Sequence, residues 1–224
     1  LVTLEDIKKD REIGIFLEYA DRFTGAIGYT EHGRRHAELV AERAWNILYY
    51  LDFGSWLAEL AAIAGYLHDI GNVANREDHP IASVLIIYPR LTAMGMQPDE
   101  LAYVISAIAN HEEDSSKLMN EVAAALLIAD KSDVDRSRVR EKDIPGPGGR
   151  IQDIHDRVNY SAVASSLTVN KLNREITLGL TIDTAISSVM EYFEIFLERM
   201  MQSREAARFL GGIFKLVIND TPLL

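Results

Sequence analysis

The stretch Ser55 to Leu67 constrains this chain more than any other. Trp56, Leu57, Leu60, Ala61, Ile63, Ala64, Tyr66 and Leu67 leave it apolar on nearly every side at helical spacing, so it belongs inside a helical core. It runs directly into His68 and Asp69. A histidine and an aspartate ending a buried helix need a hydrogen-bond network, water or a metal ion, because bare polar and charged groups are costly in low dielectric.

Helical periodicity extends on both sides. Residues 4–27 predict one amphipathic helix, and a second is expected from about Gly33 to Leu51. The apolar third helix runs from an N-cap at Ser55 to about Ile70, where Gly71-Asn72 stops it. Pro80 opens a fourth that ends near Pro89, Pro98 opens a fifth that ends near His111, and a sixth spans about Lys117 to Asp130. Asp143 to Gly149 reads as a linker or long loop, and no Gly-Lys-Ser/Thr follows to make it a phosphate loop. A short helix is expected over Ile151 to Val158. Alternation in 162–169 and 175–182 predicts a strand pair, Asp183 or Thr184 caps a helix carrying Phe193, Phe196 and Met200, and 213–218 reads as a third strand. The expected fold is mainly α: a helical domain over 1–142, a linker over 143–159 and a small α+β extension over 160–224.

Composition narrows the function classes. With no cysteine, disulfides, thiolate ligands and cysteine nucleophiles are excluded. Of the 23 basic and 34 acidic residues, residues 1–130 hold 10 and 21, so the whole net charge of -11 lies in the half that contains His68. That balance argues against a nucleic-acid surface and suits a site that attracts cations. No transmembrane-length apolar run or leader pattern stands out, and a cytoplasmic protein is the expectation. Exposed strand edges in the extension make it the expected surface for a homodimer.

Four of the six histidines, His36, His68, His79 and His111, fall at helix boundaries, and Asp69 and Asp130 end apolar segments. Converging helix ends would bring together enough ligands for two first-row divalent ions bridged by one carboxylate. Spacing alone leaves each histidine open as a core or surface residue. His155 falls outside the pattern, and Asp130 to Asp135 lacks the turn glycine of a calcium loop.

The order His36, His68-Asp69, Asp130, within the phrases Ala64-Gly-Tyr-Leu-His-Asp-Ile-Gly71 and Leu127-Ile-Ala-Asp-Lys131, resembles the HD-domain superfamily of metal-dependent phosphohydrolases over roughly residues 30–140. His79-Pro80 and His111-Glu112 extend the likeness to the branch with two metals. The resemblance implies one ion on His36, His68, Asp69 and Asp130 and a second on Asp69, His79 and His111, with Mn, Fe or Co as the expected metals and Mg as a further candidate. It is also similar to the branches that cleave cyclic dinucleotides and diadenosine tetraphosphate. Here, however, Asn110 precedes His111, Glu113-Asp-Ser-Ser116 replaces the Gly-rich signature of the first branch, and the Thr-Gly of the second is missing. Neither substrate carries over.

Asn72 stands where many members have a phosphate-contacting lysine, and Arg35, Arg76, Lys131, Arg136 and Arg138 are the candidate replacements, Arg76 and Lys131 foremost. Glu112, with Glu113 and Asp114, is a candidate to orient a ligand histidine or take a proton from water. The implied function is hydrolysis of a small phosphorylated molecule such as a nucleotide, with Asp69, Lys131, Arg76 and Glu112 as the catalytic residues. A non-heme di-iron oxygenase uses a similar ligand set, and a metal-binding regulatory module without turnover is the noncatalytic alternative.

Overall fold

The computed structural model describes residues 2–112, 118–146 and 149–223. The first expected helix is two, α1 (Leu4–Lys8) and α2 (Arg11–Ala26). Asp10 makes the break: its carboxylate accepts from Glu12 N and Ile13 N to cap α2, and pairs with Arg90. Next come α3 (Arg34–Tyr50) and α4 (Ser55–Leu67), the central helix, buried at every position from Leu60 on while its first turn with Trp56 stays at the surface. The N-cap of α4 is Gly54, at φ 88°, rather than Ser55, and the expected extension to Ile70 is a separate 3₁₀ turn over Ile70–Val73.

Helix α5 (His79–Ala93) continues through Pro89, where the sequence expectation ended it. The ring removes one N–H, and Leu85, whose carbonyl loses that partner, lies on the exposed side of the helix, where water can replace it. Then follow α6 (Pro98–Ala109) and α7 (Glu121–Lys131), which starts at an Asn120 cap rather than near Lys117 and buries Val122 through Ala129. Gly65 lets α3 and α4 cross closely, since a Cβ there would stand 2.9 Å from the Ala41 backbone.

The C-terminal part holds α8 (Ile154–Ser161), β1 (Ala162–Asn170), β2 (Glu175–Ile182), α9 (Val189–Phe209), β3 (Ile213–Ile218) and the short β4 (Thr221–Pro222). The expected Asp183 or Thr184 cap is Ser188, because Ser188 Oγ and the Glu191 carboxylate exchange a reciprocal capping box. Helix α9 runs on through residues 203–209. The sheet order is β1-β2-β3-β4, with β1 antiparallel to β2, β2 parallel to β3 across the α9 crossover, and β4, unforeseen in the sequence, antiparallel to β3. Ile176, Leu178, Leu180, Phe214, Leu216 and Ile218 join Phe196 and Met200 of α9 in a core continuous with that of the bundle, and α9 also packs on α7. Buried Arg43 of α3 ties the two parts, donating to Ser132 O at 2.7 Å and to Ser165 Oγ of β1 at 3.2 Å. The architecture is a helical bundle followed by a small β-containing extension.

Candidate metal centre

Five helix ends meet at one point. His36 lies in the first turn of α3, His68 and Asp69 end α4, His79 begins α5, His111 follows α6 and Asp130 lies in the last turn of α7. Each imidazole is oriented from behind: Nδ1 of His68 faces Gly65 O at 2.8 Å, that of His79 faces Arg76 O at 2.9 Å and that of His111 faces Ile108 O at 2.6 Å. His36 Nδ1 instead faces Asp133 Oδ2 at 2.6 Å. Those acceptors fix the proton on Nδ1 and turn four Nε2 atoms inward.

The inward atoms form two adjoining sets. His36 Nε2 and His68 Nε2 lie 3.3 Å apart, and His79 Nε2 and His111 Nε2 lie 3.0 Å apart. Asp69 stands between them, with Oδ2 3.7 and 3.4 Å from the first pair and Oδ1 3.0 and 3.7 Å from the second. Asp130 Oδ1 completes the first set at 3.4 Å from His36 Nε2, and Glu112 Oε1 joins the second at 3.3 Å from His79 Nε2. Among the described residues, three such groups of potential ligand atoms come within 4.8 Å of one another: His36, His68 and Asp130; His68, Asp69 and His111; and His79, His111 and Glu112. Lone pairs and carboxylate charge converge on a gap that only protons or metal ions can fill. Imidazole and carboxylate donors, two ligand sets and one carboxylate facing both suit two divalent transition metals.

Electrostatics agree. Against burial, the neighbouring His68, His111 and His79 hold the Asp69 carboxyl well below the usual range, and Lys131 and His36 do the same for Asp130. Burial and Arg138 act to lower the pKa of His36, but hydrogen bonds to Asp130 and Asp133 prevail and lift it to about 9, so without metal that ring carries a proton. Burial pushes His68 down to about 4 despite Asp69. Asp133 is clamped in turn by Arg35, whose Nη2 lies 2.7 Å from its Oδ2, and by buried Arg138 at 3.7 Å. Sequence reading missed Asp133, although its place one helical turn after Asp130 was the available signal.

A cleft of about 320 Å³ opens beside these atoms. Asp69, His111, Glu112, Asp130, Arg76 and Lys131 line it, so every residue expected to act catalytically reaches it. Lys131 is buried, with Nζ 2.9 Å from Asp130 Oδ2, while Arg76 lies 3.5 Å from Glu112 and 4.9 Å over the Tyr29 ring. Asn72 accepts from Arg76 at 3.2 Å, so the residue in the lysine position holds an arginine at the cleft. Arg138 also lines the cleft, Arg35 is committed to Asp133 and Glu31, and Arg136 is exposed and stacked on Tyr160. Glu113 and Asp114 lie outside the described residues. Part of the lining was not foreseen: Asp153, His155, Asp156 and Asn159 from the α8 region, with Phe196 and Arg199 of α9. His155 was set aside in the sequence.

Among the described residues, no helix is long and apolar enough to cross a membrane. The uncharacterized protein MJ1020 of Methanocaldococcus jannaschii is 28% identical over 158 residues, which cover 61% of this chain and 61% of that protein. The chain therefore spans about three-fifths of the length of this relative. The family model for the HD domain matches residues 29–158, more than half of the chain and the segment that carries every inward-facing histidine and aspartate. The chain belongs to the HD-domain family, with the metal-dependent phosphohydrolase fold and clustered histidines and aspartates suited to a two-metal site.

Proposed function

We propose that the chain hydrolyses phosphate esters of a small phosphorylated molecule, a nucleotide or a compound of similar size. His36, His68, Asp69 and Asp130 hold one divalent ion of the Mn, Fe or Co type, and Asp69, His79 and His111 hold a second. The observation that carries this reading is the division of Asp69, with Oδ2 toward His36 and His68 and Oδ1 toward His79 and His111. Bound there, two ions supply Lewis acidity toward water and the phosphoryl oxygens.

The chain supplies the rest. Lys131 and Arg76, which line the cleft, hold the phosphoryl oxygens by charge-assisted hydrogen bonds. Glu112 Oε1, beside His79 and partly exposed to the cleft, is placed to take a proton from the attacking water. Asp133 keeps His36 in the tautomer that presents Nε2 inward. For a monoester, water adds to phosphorus, the ester oxygen leaves as an alcohol with the proton that Glu112 took from the water, and inorganic phosphate is the second product.

Metal content and phosphate release test this together. Wild-type protein reconstituted with Mn²⁺ is expected to hold two ions per chain, His79→Ala one, and Asp69→Ala neither, with no turnover. Full turnover in a folded Asp69→Ala variant, or no bound metal after reconstitution of the wild type, overturns the reading. Oxygen uptake that requires iron, in place of phosphate release, would replace it with the oxygenase.

A further inference from the structure

Asp156 differs from the carboxylates packed around the inward-facing histidines. Asp69 faces four imidazoles, Asp130 has Lys131, and Asp133 has Arg35 and Arg138. Asp156 is 8% exposed and lines the same cleft, yet among the described residues no hydrogen bond or ion pair reaches its carboxylate. Only its backbone is engaged, the N–H donating to Asp153 Oδ1 at 3.0 Å in the cap of α8. Two carboxylates and two basic groups lie around it. Burial, Asp153 and Asp143 raise its pKa above the ordinary range, and His155 and Arg140 do not offset them. A carboxylate that serves the fold is paired or solvated. Among the described residues the Asp156 oxygens have no protein partner, and they stay open to the cleft, where a ligand that displaces water can donate to them.

The chemistry of that partner follows from the rest of the lining. Arg76 beside His79 and Lys131 beside Asp130 are suited to phosphate, and the α8 region adds Asp153, Asp156 and Asn159 to the same cleft. A phosphoryl dianion has only acceptors to offer, so Asp156 repels it and orients it toward the metal-facing end. The volume of about 320 Å³ leaves room for more than a phosphate group.

We propose that Asp156 determines specificity: its carboxylate accepts a hydrogen bond from an amine or hydroxyl group on the alcohol part of a phosphate monoester whose phosphoryl group occupies the metal-facing end. This rests on the phosphate-ester reading above.

The test compares 2-aminoethyl phosphate, ribose 5-phosphate and phenyl phosphate, which offer an amine, hydroxyl groups and neither. Binding is measured by calorimetry, and phosphate release is followed on the same Mn²⁺-loaded protein. Wild type is expected to prefer at least one donor-bearing ester to phenyl phosphate. In Asp156→Ala that preference falls about tenfold to a hundredfold, the size of a hydrogen bond to a charged group. Asp156→Asn, which keeps an acceptor oxygen but no charge, retains more of a hydroxyl preference than of an ammonium preference, and so separates the two donors. Thermal unfolding of Asp156→Ala is expected close to the wild-type temperature, since no hydrogen bond or ion pair within the described residues depends on that carboxylate. Equal affinity for the three esters, binding of none, an unchanged preference in Asp156→Ala, or a clear drop in its unfolding temperature overturns the proposal. A preference that depends on Asp156 without any phosphate release overturns the hydrolase reading and leaves the recognition standing.

Discussion

The helix ends around Asp69 and the sheet of the extension achieve burial in opposite ways. Ile176, Leu178 and Leu180 of β2 and Phe214, Leu216 and Ile218 of β3 bury alternate side chains that have no polar atom to satisfy. At the helix ends His36, His68, His79, His111, Asp69 and Asp133 are as deeply buried, and each is tolerated only because another polar group faces it. The sheet is built from additive contacts. The helix ends are a coupled network, in which losing one partner leaves others unpaired in low dielectric.

The strongest way to break that contrast is at Gly71. A Cβ there would stand 2.2 Å from His79 O and 2.4 Å from Ser83 N, both backbone atoms at the start of α5. Gly71 N also donates to Ser83 Oγ, which donates to His68 O at 2.7 Å. Gly71→Ala is expected to cost about 1–3 kcal/mol in chemical denaturation and, by displacing His79, to lose the second ion. A variant with wild-type stability and full metal content would mean that the helix ends are not coupled in this way.

Asp133→Asn sharpens the comparison with less disturbance. It keeps an acceptor for His36 Nδ1 but removes the charge that Arg35 and Arg138 neutralise. Metal affinity, read by chelator competition, is expected to fall about 10- to 100-fold with the helical content unchanged. Unaltered affinity would reduce Asp133 to a packing residue.

The smallest effect is expected in the extension. The Glu191 carboxyl is held down at about 2, against an ordinary 4.5, by hydrogen bonds from Arg157, the Ser188 backbone and Ser187. A carboxyl with a depressed pKa stabilises the fold fully above its unfolded value, and the contribution is lost as pH falls from about 4.5 toward about 2. Glu191→Gln is thus expected to flatten the acid limb of the stability curve slightly and leave metal content unchanged. An unaltered acid limb would remove Glu191 from the forces that hold α8 to α9.

Local pattern was enough for much of the fold. The burial of α4 follows from its apolar run, and β1, β2 and β3 follow from alternation, because helix and strand periods are written in neighbouring residues. Element ends were less legible. Asp10 divides one apparent helix, and Ser188 caps α9 in place of Asp183, since a cap depends on which side chain reaches which N–H. Pro89 stays inside α5 because the face it disturbs is exposed, a fact of packing.

For the site, residue order and the family likeness identified His36, His68, Asp69, His79, His111 and Asp130 as candidates, because helix-ending histidines beside apolar runs leave a visible mark. Their meeting at one gap, the orientation of each Nδ1 by a carbonyl or by Asp133, and the division of Asp69 between two histidine pairs came from the packing of five helices. Asp156, Phe196 and Arg199 carry no such mark, lying tens of residues from the motifs with which they line the cleft, and Asp133, although only three residues after Asp130, meets His36 only in the fold. A sequence specifies local period and chemical type. Which distant groups share a low-dielectric space, and therefore which charges are paired and which wait for a ligand, is settled when the chain closes on itself.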